Sequence, residues 1–186
     1  MNERRVGGKS KNDWLEAGLN VLGTASVAEI SVEALARRLG IAKSGFYWHF
    51  KDRRDYLSQL LDHWYREVIE VIAENDQINE LEPVTRLITA VEMIFHHDLV
   101  KYELALHQWA TADKLADKVV RKANRVRLEY VKGIFAELGF TKEEIEIRSM
   151  LALTHQLWEE TTLKRIVSRK RRKELIRRRI RFLTSK

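Results

Sequence analysis

Apolar residues return every three or four positions along almost the whole chain, and no segment shows the strict alternation of a half-buried strand. Leu15, Leu19 and Leu22, with Trp14 near the start, predict a first helix from Ser10 or Asn12 to about Leu22. Gly23-Thr24-Ala25-Ser26 breaks it. Ser31 then suits a helix N-cap, since its hydroxyl can accept from a free backbone N–H. Ile30 and Leu35 stand at the positions of a hydrophobic staple. Gly40 ends this short helix, because a residue without Cβ takes left-handed backbone at low cost. A second short helix follows, rich in Lys43, Tyr47, Trp48, His49 and Lys51. Two short helices joined by a tight glycine turn, the second polar and aromatic, form a helix-turn-helix whose second helix can enter the DNA major groove.

Asp52 reads as the N-cap of a long fourth helix that keeps its period from Tyr56 through Leu60, Leu61, Trp64, Val68, Ile69 and Ile72 to about Glu74. At 1.5 Å per residue it is roughly 30 Å long, enough to link a head to a body. Asn75 to Glu82 is polar and reads as a loop, and Pro83 suits a first helical position. Further helices are expected from Pro83 to Phe95, over 102–112, from about Asp113 to Leu138, and from Thr141 onward. Gly139 stops the third of these, and Thr141 with Glu144 makes a capping box for the fourth. A last helix starts near Ser168 and carries Leu175, Ile176, Ile180, Phe182 and Leu183. The expected fold class is all-α: a three-helix DNA-binding head over residues 1–54, joined by the long helix to a ligand-binding and dimerisation body over 55–186.

At Gly40-Ile41-Ala42-Lys43-Ser44-Gly45-Phe46-Tyr47-Trp48-His49-Phe50, followed by Lys51-Asp52-Arg53 and Leu57, the chain resembles the TetR family of bacterial transcriptional regulators. The resemblance covers about the first third of the sequence. It implies DNA contacts from Lys43, Ser44, Tyr47, Trp48 and His49 and a phosphate held by Arg53; Gly45, from its own lack of a side chain, lets the backbone approach a phosphate closely. It also implies a homodimeric repressor that binds a palindromic operator and is released by a small-molecule effector. The chain departs from the family pattern at Ala42 and Gly45, where the family often carries hydroxyl residues. From the residues alone, Lys43 and Ser44 sit where a recognition helix meets base edges, and Phe46 and Phe50, four apart, read as core.

Charge sharpens this picture. The net charge of +7 is unevenly spread: residues 1–60 carry 10 Lys/Arg against 7 Asp/Glu, residues 61–163 carry 12 against 19, and residues 164–186 carry 12 against 1. The basic balance therefore comes from the tail, and overall charge is no argument for DNA binding by the head. The tail reads either as a solvated face lying against the acidic body or as a site for nucleic acid, an anionic surface or an acidic partner. Arg4, Arg5, Lys9 and Lys11 around Gly7-Gly8 form either a disordered start or an arm touching phosphates or the minor groove.

A 186-residue chain can bury one substantial core, or a head and a body. No run approaches the roughly 18 apolar residues that cross a bilayer, no apolar segment follows the N-terminal charges, and cysteine is absent. A cytoplasmic protein without membrane partners is expected. No nucleophile motif, phosphate-binding glycine loop or strong carboxylate pair argues for an enzyme. In the body, Trp64, Phe95, His96, Tyr102, His107 and Trp109 are large or polar for a plain helical core and are the candidate effector contacts. The alternative is that they simply pack with their polar tips satisfied. His96 and His97 with His63 and His107 do not make a metal site, since adjacent histidines diverge by about 100° on a helix; no cofactor is expected. Met150, Leu151, Leu157, Trp158, Ile176 and Ile180 are the expected lining of a dimer interface. The rival function is a nucleic-acid-binding or scaffold protein working mainly through the basic tail.

Overall fold

The computed structural model describes residues 9–186, and among them every regular element is a helix. Arg4, Arg5, Gly7 and Gly8 of the expected basic arm lie outside the described residues. Helix α1 (Lys11–Leu22) starts at a capping box between Ser10 and Asp13, and α2 (Val32–Leu39) starts at Ser31, whose hydroxyl accepts from the Ala34 N–H at 3.1 Å. Gly40 ends α2 with φ +69°, the left-handed backbone expected of it. The next segment, Lys43–Trp48, is a tight 3-10 helix, and α3 (Arg53–Tyr65) follows from its Asp52 cap. Trp14, Leu35, Phe46, Phe50, Tyr56 and Leu60 are all buried in one core that seats the head on α3. The head's packing therefore reaches beyond residue 54 into the first turns of α3.

Gly18 shows how close that packing is. A Cβ there would stand 2.0 Å from the Tyr56 hydroxyl, which donates to the Trp14 carbonyl at 2.8 Å. Burial pushes the Tyr56 phenol well above its ordinary range, so it keeps the proton this bond requires.

The long helix is not uniform. A π-helical turn, Arg66–Glu70, separates α3 from the short α4 (Val71–Ala73). The widened turn brings Val68 and Ile69 to the interior together. Asn75 to Glu82 is not the plain loop expected, because Asn75 caps a one-turn α5 (Asp76–Asn79) that buries Ile78. Pro83 opens α6 (Pro83–His96). Asp98, with left-handed backbone at φ 54°, turns the chain into a 3-10 turn (Leu99–Tyr102) and α7 (Glu103–Ala112).

The body is built around α8 (Lys114–Glu137), capped by Asp113, with α9 (Lys142–Leu163) and α10 (Arg169–Thr184) completing it. Thr141 opens α9 through the expected box with Glu144, whose carboxyl is held below its usual range by the Thr141 N–H and hydroxyl. The cap is thus fully formed near neutral pH and weakens as pH falls through that lowered value. Ile176, Ile180 and Leu183 of α10 pack with Leu87, Val91, Ile134 and Phe135 in a second core. This corrects the expected interface: Ile176, Ile180 and Leu157 are buried within the chain itself. Helical period identifies residues that share a face, but not whether that face meets the chain's own body or a second copy. The exposed apolar residues on these helices are Ile147, Met150 and Leu151 on α9 and Leu175 and Phe182 on α10, while Trp158 lies half-buried against the His107 ring.

Part of the tail's charge is engaged by the body. Arg177 donates to Glu92 of α6 at 2.8 Å, and Arg179 donates to Glu159 of α9 at 2.9 Å and to Gln156 at 3.0 Å. No helix among the described residues is long and apolar enough to cross a membrane.

Candidate nucleic-acid interface and body cavity

The segment Lys43–Trp48 is held by its own aromatic residues. Phe46 is fully buried and meets the rings of Trp14, Phe50 and Tyr56 at centroid distances of 5.4, 5.0 and 5.4 Å. Phe50 meets Tyr56 edge-on at 4.9 Å. With the inward side of the segment so fixed, the outward side carries Lys43, Ser44, Tyr47 and Trp48, all exposed. Trp48 is 86% exposed, a large apolar surface left in water. Lys43 makes only a solvent-exposed 3.5 Å pair with Glu33 and is available to a competing anion.

The other three expected contacts are tied to the head's own packing or backbone. The Arg53 guanidinium donates to the Ile30 carbonyl at 2.8 Å and to the Val27 carbonyl at 3.0 Å, tying the start of α3 to the entry of α2. Its expected role as a free phosphate fork is therefore narrowed to the edge left over. His49 is half-buried and hydrogen-bonds through Nε2 to the Lys9 carbonyl at 3.0 Å, holding the segment that leads into α1. At Gly45 the Cβ direction points to Ile41 and Trp14 at 3.6 and 3.7 Å, ordinary contact distances, so packing does not demand glycine there. The roles of Arg53 and His49 escaped the sequence reading because their partners lie 23 to 40 residues away.

In the body, a cavity of about 80 Å³ lies among α6, α8, α9 and the π turn. Val68, Ile69, Leu87, Val91, Val131 and Leu157 give it an apolar wall, and Arg127, Tyr130 and Gln156 are the polar residues of its lining. The Tyr130 hydroxyl is buried without a hydrogen-bond partner, and burial raises its pKa. Arg127 grips Glu103, which is 1% exposed, through a forked pair of 2.6 and 3.1 Å.

None of the six expected effector contacts lines this cavity. Trp64, Tyr102 and Trp109 are buried in the core shared with the head, and the Trp64 indole N–H has no partner there. His107 binds back to the Glu103 carbonyl at 2.9 Å. Phe95 and His96 line a surface groove instead. Bulk and polarity marked these residues in the sequence, whereas a cavity is enclosed by ordinary Val, Ile and Leu that carry no mark. Among the described residues no group of three or more His, Asp or Glu side chains is arranged to hold a metal.

Helix α2, the left-handed turn at Gly40 and the exposed basic and aromatic segment Lys43–Trp48 together have the arrangement of a helix-turn-helix. Residues 15–60 match the family described as "Bacterial regulatory proteins, tetR family". Among solved structures, a transcriptional regulator from Rhodococcus sp. Rha1 aligns with a TM-score of 0.74 at 14% identity, over 95% of this chain and 94% of that one. A TetR-family regulator from Bordetella parapertussis 12822 gives a TM-score of 0.69 at 18% identity, over 93% of each chain. FadR from Bacillus subtilis, solved in complex with stearoyl-CoA, gives a TM-score of 0.70 at 16% identity, over 95% of this chain and 98% of that one. No match was found among curated proteins. Residues 15–60 of the head thus resemble the TetR family of bacterial regulatory proteins, and the described chain as a whole has the fold of these solved regulators.

Proposed function

We propose that two copies of this chain bind a two-fold-related operator as a repressor, and that a small molecule entering the body cavity releases it. The observation that carries the reading is the joint exposure of Lys43, Ser44, Tyr47 and Trp48 on a segment whose other side is locked by Phe46 and Phe50. Lys43 and Ser44 are the base-edge contacts in this reading. Tyr47 and Trp48 bring hydrogen-bond donors and apolar surface to the backbone and groove wall, and His49 and Arg53 hold the segment in register.

The release step rests on the lever between cavity and head. Val68 and Ile69 wall the cavity, and two to three turns earlier on the same helix Tyr56 and Leu60 pack in the head core. The cavity is smaller than the roughly 150 Å³ that accommodates benzene in an engineered apolar site. A ligand therefore has to push its walls apart, and the π turn is the wall that continues into the head. The FadR complex with stearoyl-CoA supports the idea that this fold accommodates a ligand. The basic tail is the weaker candidate for nucleic acid, since Arg177 and Arg179 already pair with the body.

Dimerisation in this reading uses the exposed apolar residues of α9 and α10, among them Leu151 at 56% and Phe182 at 77% exposure. Leu151→Glu with Phe182→Glu is expected to convert the protein to a monomer in sedimentation. Operator affinity then falls by about 100-fold or more, because one head no longer raises the local concentration of the other. A double variant that stays dimeric and binds DNA unchanged contradicts this interface.

A further inference from the structure

The apolar cavity is one of three hollows that share walls. Val100 and Gln156 line both the cavity and a narrow neck of about 20 Å³ between α6, α9 and α10. Phe95 and Arg169 line both that neck and an open groove of about 920 Å³ at the surface. The groove is cationic: Arg169, Lys170 and Lys173 of α10 face His96 and His97 at the end of α6. At the junction the Phe95 ring lies under two guanidiniums, Arg169 at 5.1 Å and Arg172 at 5.5 Å.

The acids nearby are already engaged. Glu92 in the groove accepts from Arg177 at 2.8 Å, and Glu159 in the neck pairs with Arg179 at 2.9 Å and Arg172 at 3.9 Å. Asp98 is the remaining carboxylate of the neck. Lys170 and Lys173 make no ion pair among the described residues. They stand in the first turns of α10 with Arg169 and Arg171, where cations oppose the helix dipole and an anion is favoured. Charge is thus concentrated at an unfavourable end of a helix, beside a route that leads by shared walls to an apolar cavity.

We propose that the ligand of this body is an amphiphilic anion. Its apolar chain fills the cavity past Phe95, and its anionic head lies over Arg169, Lys170 and Lys173. This rests on the reading that the cavity takes a ligand. A neutral apolar molecule leaves the cationic groove unused, and a free polyanion leaves the cavity unused.

The test is calorimetric titration of the full chain with decyl phosphate, decan-1-ol and inorganic phosphate. Decyl phosphate is expected to bind at least about tenfold more tightly than either of the others. Lys170→Ala with Lys173→Ala is expected to weaken decyl phosphate by about tenfold and leave decan-1-ol unchanged. Ala152→Leu, which fills part of the cavity, is expected to weaken both alkyl compounds in a protein whose circular dichroism is unaltered. Equal affinity for decyl phosphate and decan-1-ol overturns the claim for the anionic head. Equal affinity for decyl phosphate and inorganic phosphate overturns the claim for the chain. If decan-1-ol alone binds tightly and dissociates the protein from DNA, ligand-controlled release stands while the amphiphilic anion falls. If neither alkyl compound binds, the cavity is not the ligand site and both fall.

Discussion

Replacing Phe46 by Ala is expected to cost about 3–5 kcal/mol, the range for removing a large buried aromatic side chain. The ring is fully buried and is the hub at which Trp14, Tyr47, Phe50 and Tyr56 meet. Its loss empties the centre of the head and unseats the segment that carries Lys43, Ser44, Tyr47 and Trp48. Thermal unfolding should therefore shift to clearly lower temperature, and DNA binding should disappear with it. Trp48→Ala is the informative contrast. At 86% exposure this side chain supports little in the free protein. Stability should stay within about 0.5 kcal/mol, as for other surface substitutions, while DNA binding falls. Equal loss of stability in the two variants would show that the outward side of the segment is part of the fold rather than an interface.

The second large effect is expected in the body. Arg127→Leu removes the ion-pair partner of Glu103, whose carboxylate is almost fully buried and, among the described residues, then keeps the His107 ring at 3.8 Å as its remaining neighbour of this kind. Breaking a buried pair from one side costs about 3–5 kcal/mol, because the surviving charge stays desolvated. Replacing both residues by Leu should cost much less, since no charge is then left without a partner. Denaturant midpoints of the two single variants and the double variant give the coupling directly. A double variant as unstable as the sum of the singles would contradict the account. The pair also holds Arg127 at the cavity wall and under the Trp64 ring, at 5.7 Å, so it sets the shape of the cavity as well as the packing of α7 on α8.

Local signals in the sequence carried a large share of this architecture. Ser10, Ser31, Asp52, Asp113, Thr141 and Ser168 all cap helices where short-range hydrogen-bonding rules place them. Gly40 and Gly139 take the left-handed backbone that ends a helix. The turn and the aromatic and basic spacing of residues 40–50 are equally local, which is why the DNA-binding head is legible from residues alone. What the sequence hid is non-local. Arg53 reaches back to Ile30 and Val27, and Glu103 finds Arg127 on another helix. Ile176 and Ile180 face the chain's own core instead of a partner. The π turn at 66–70 changes which side chains point inward without breaking the apolar period that predicts a continuous helix. The cavity escaped for the same reason as the Phe95 junction: both are made by residues distant in sequence, each unremarkable in its own helix.

The central claim is sequence-selective DNA binding by the segment Lys43–Trp48, and selection from a random pool of duplex DNA by the full-length protein tests it most directly. The account predicts enrichment of an inverted repeat whose half-site centres lie about one helical turn apart, with the enrichment abolished by Lys43→Ala. Recovery of no sequence above bulk genomic competitor, or of the same sequences by the Lys43→Ala protein, would contradict it.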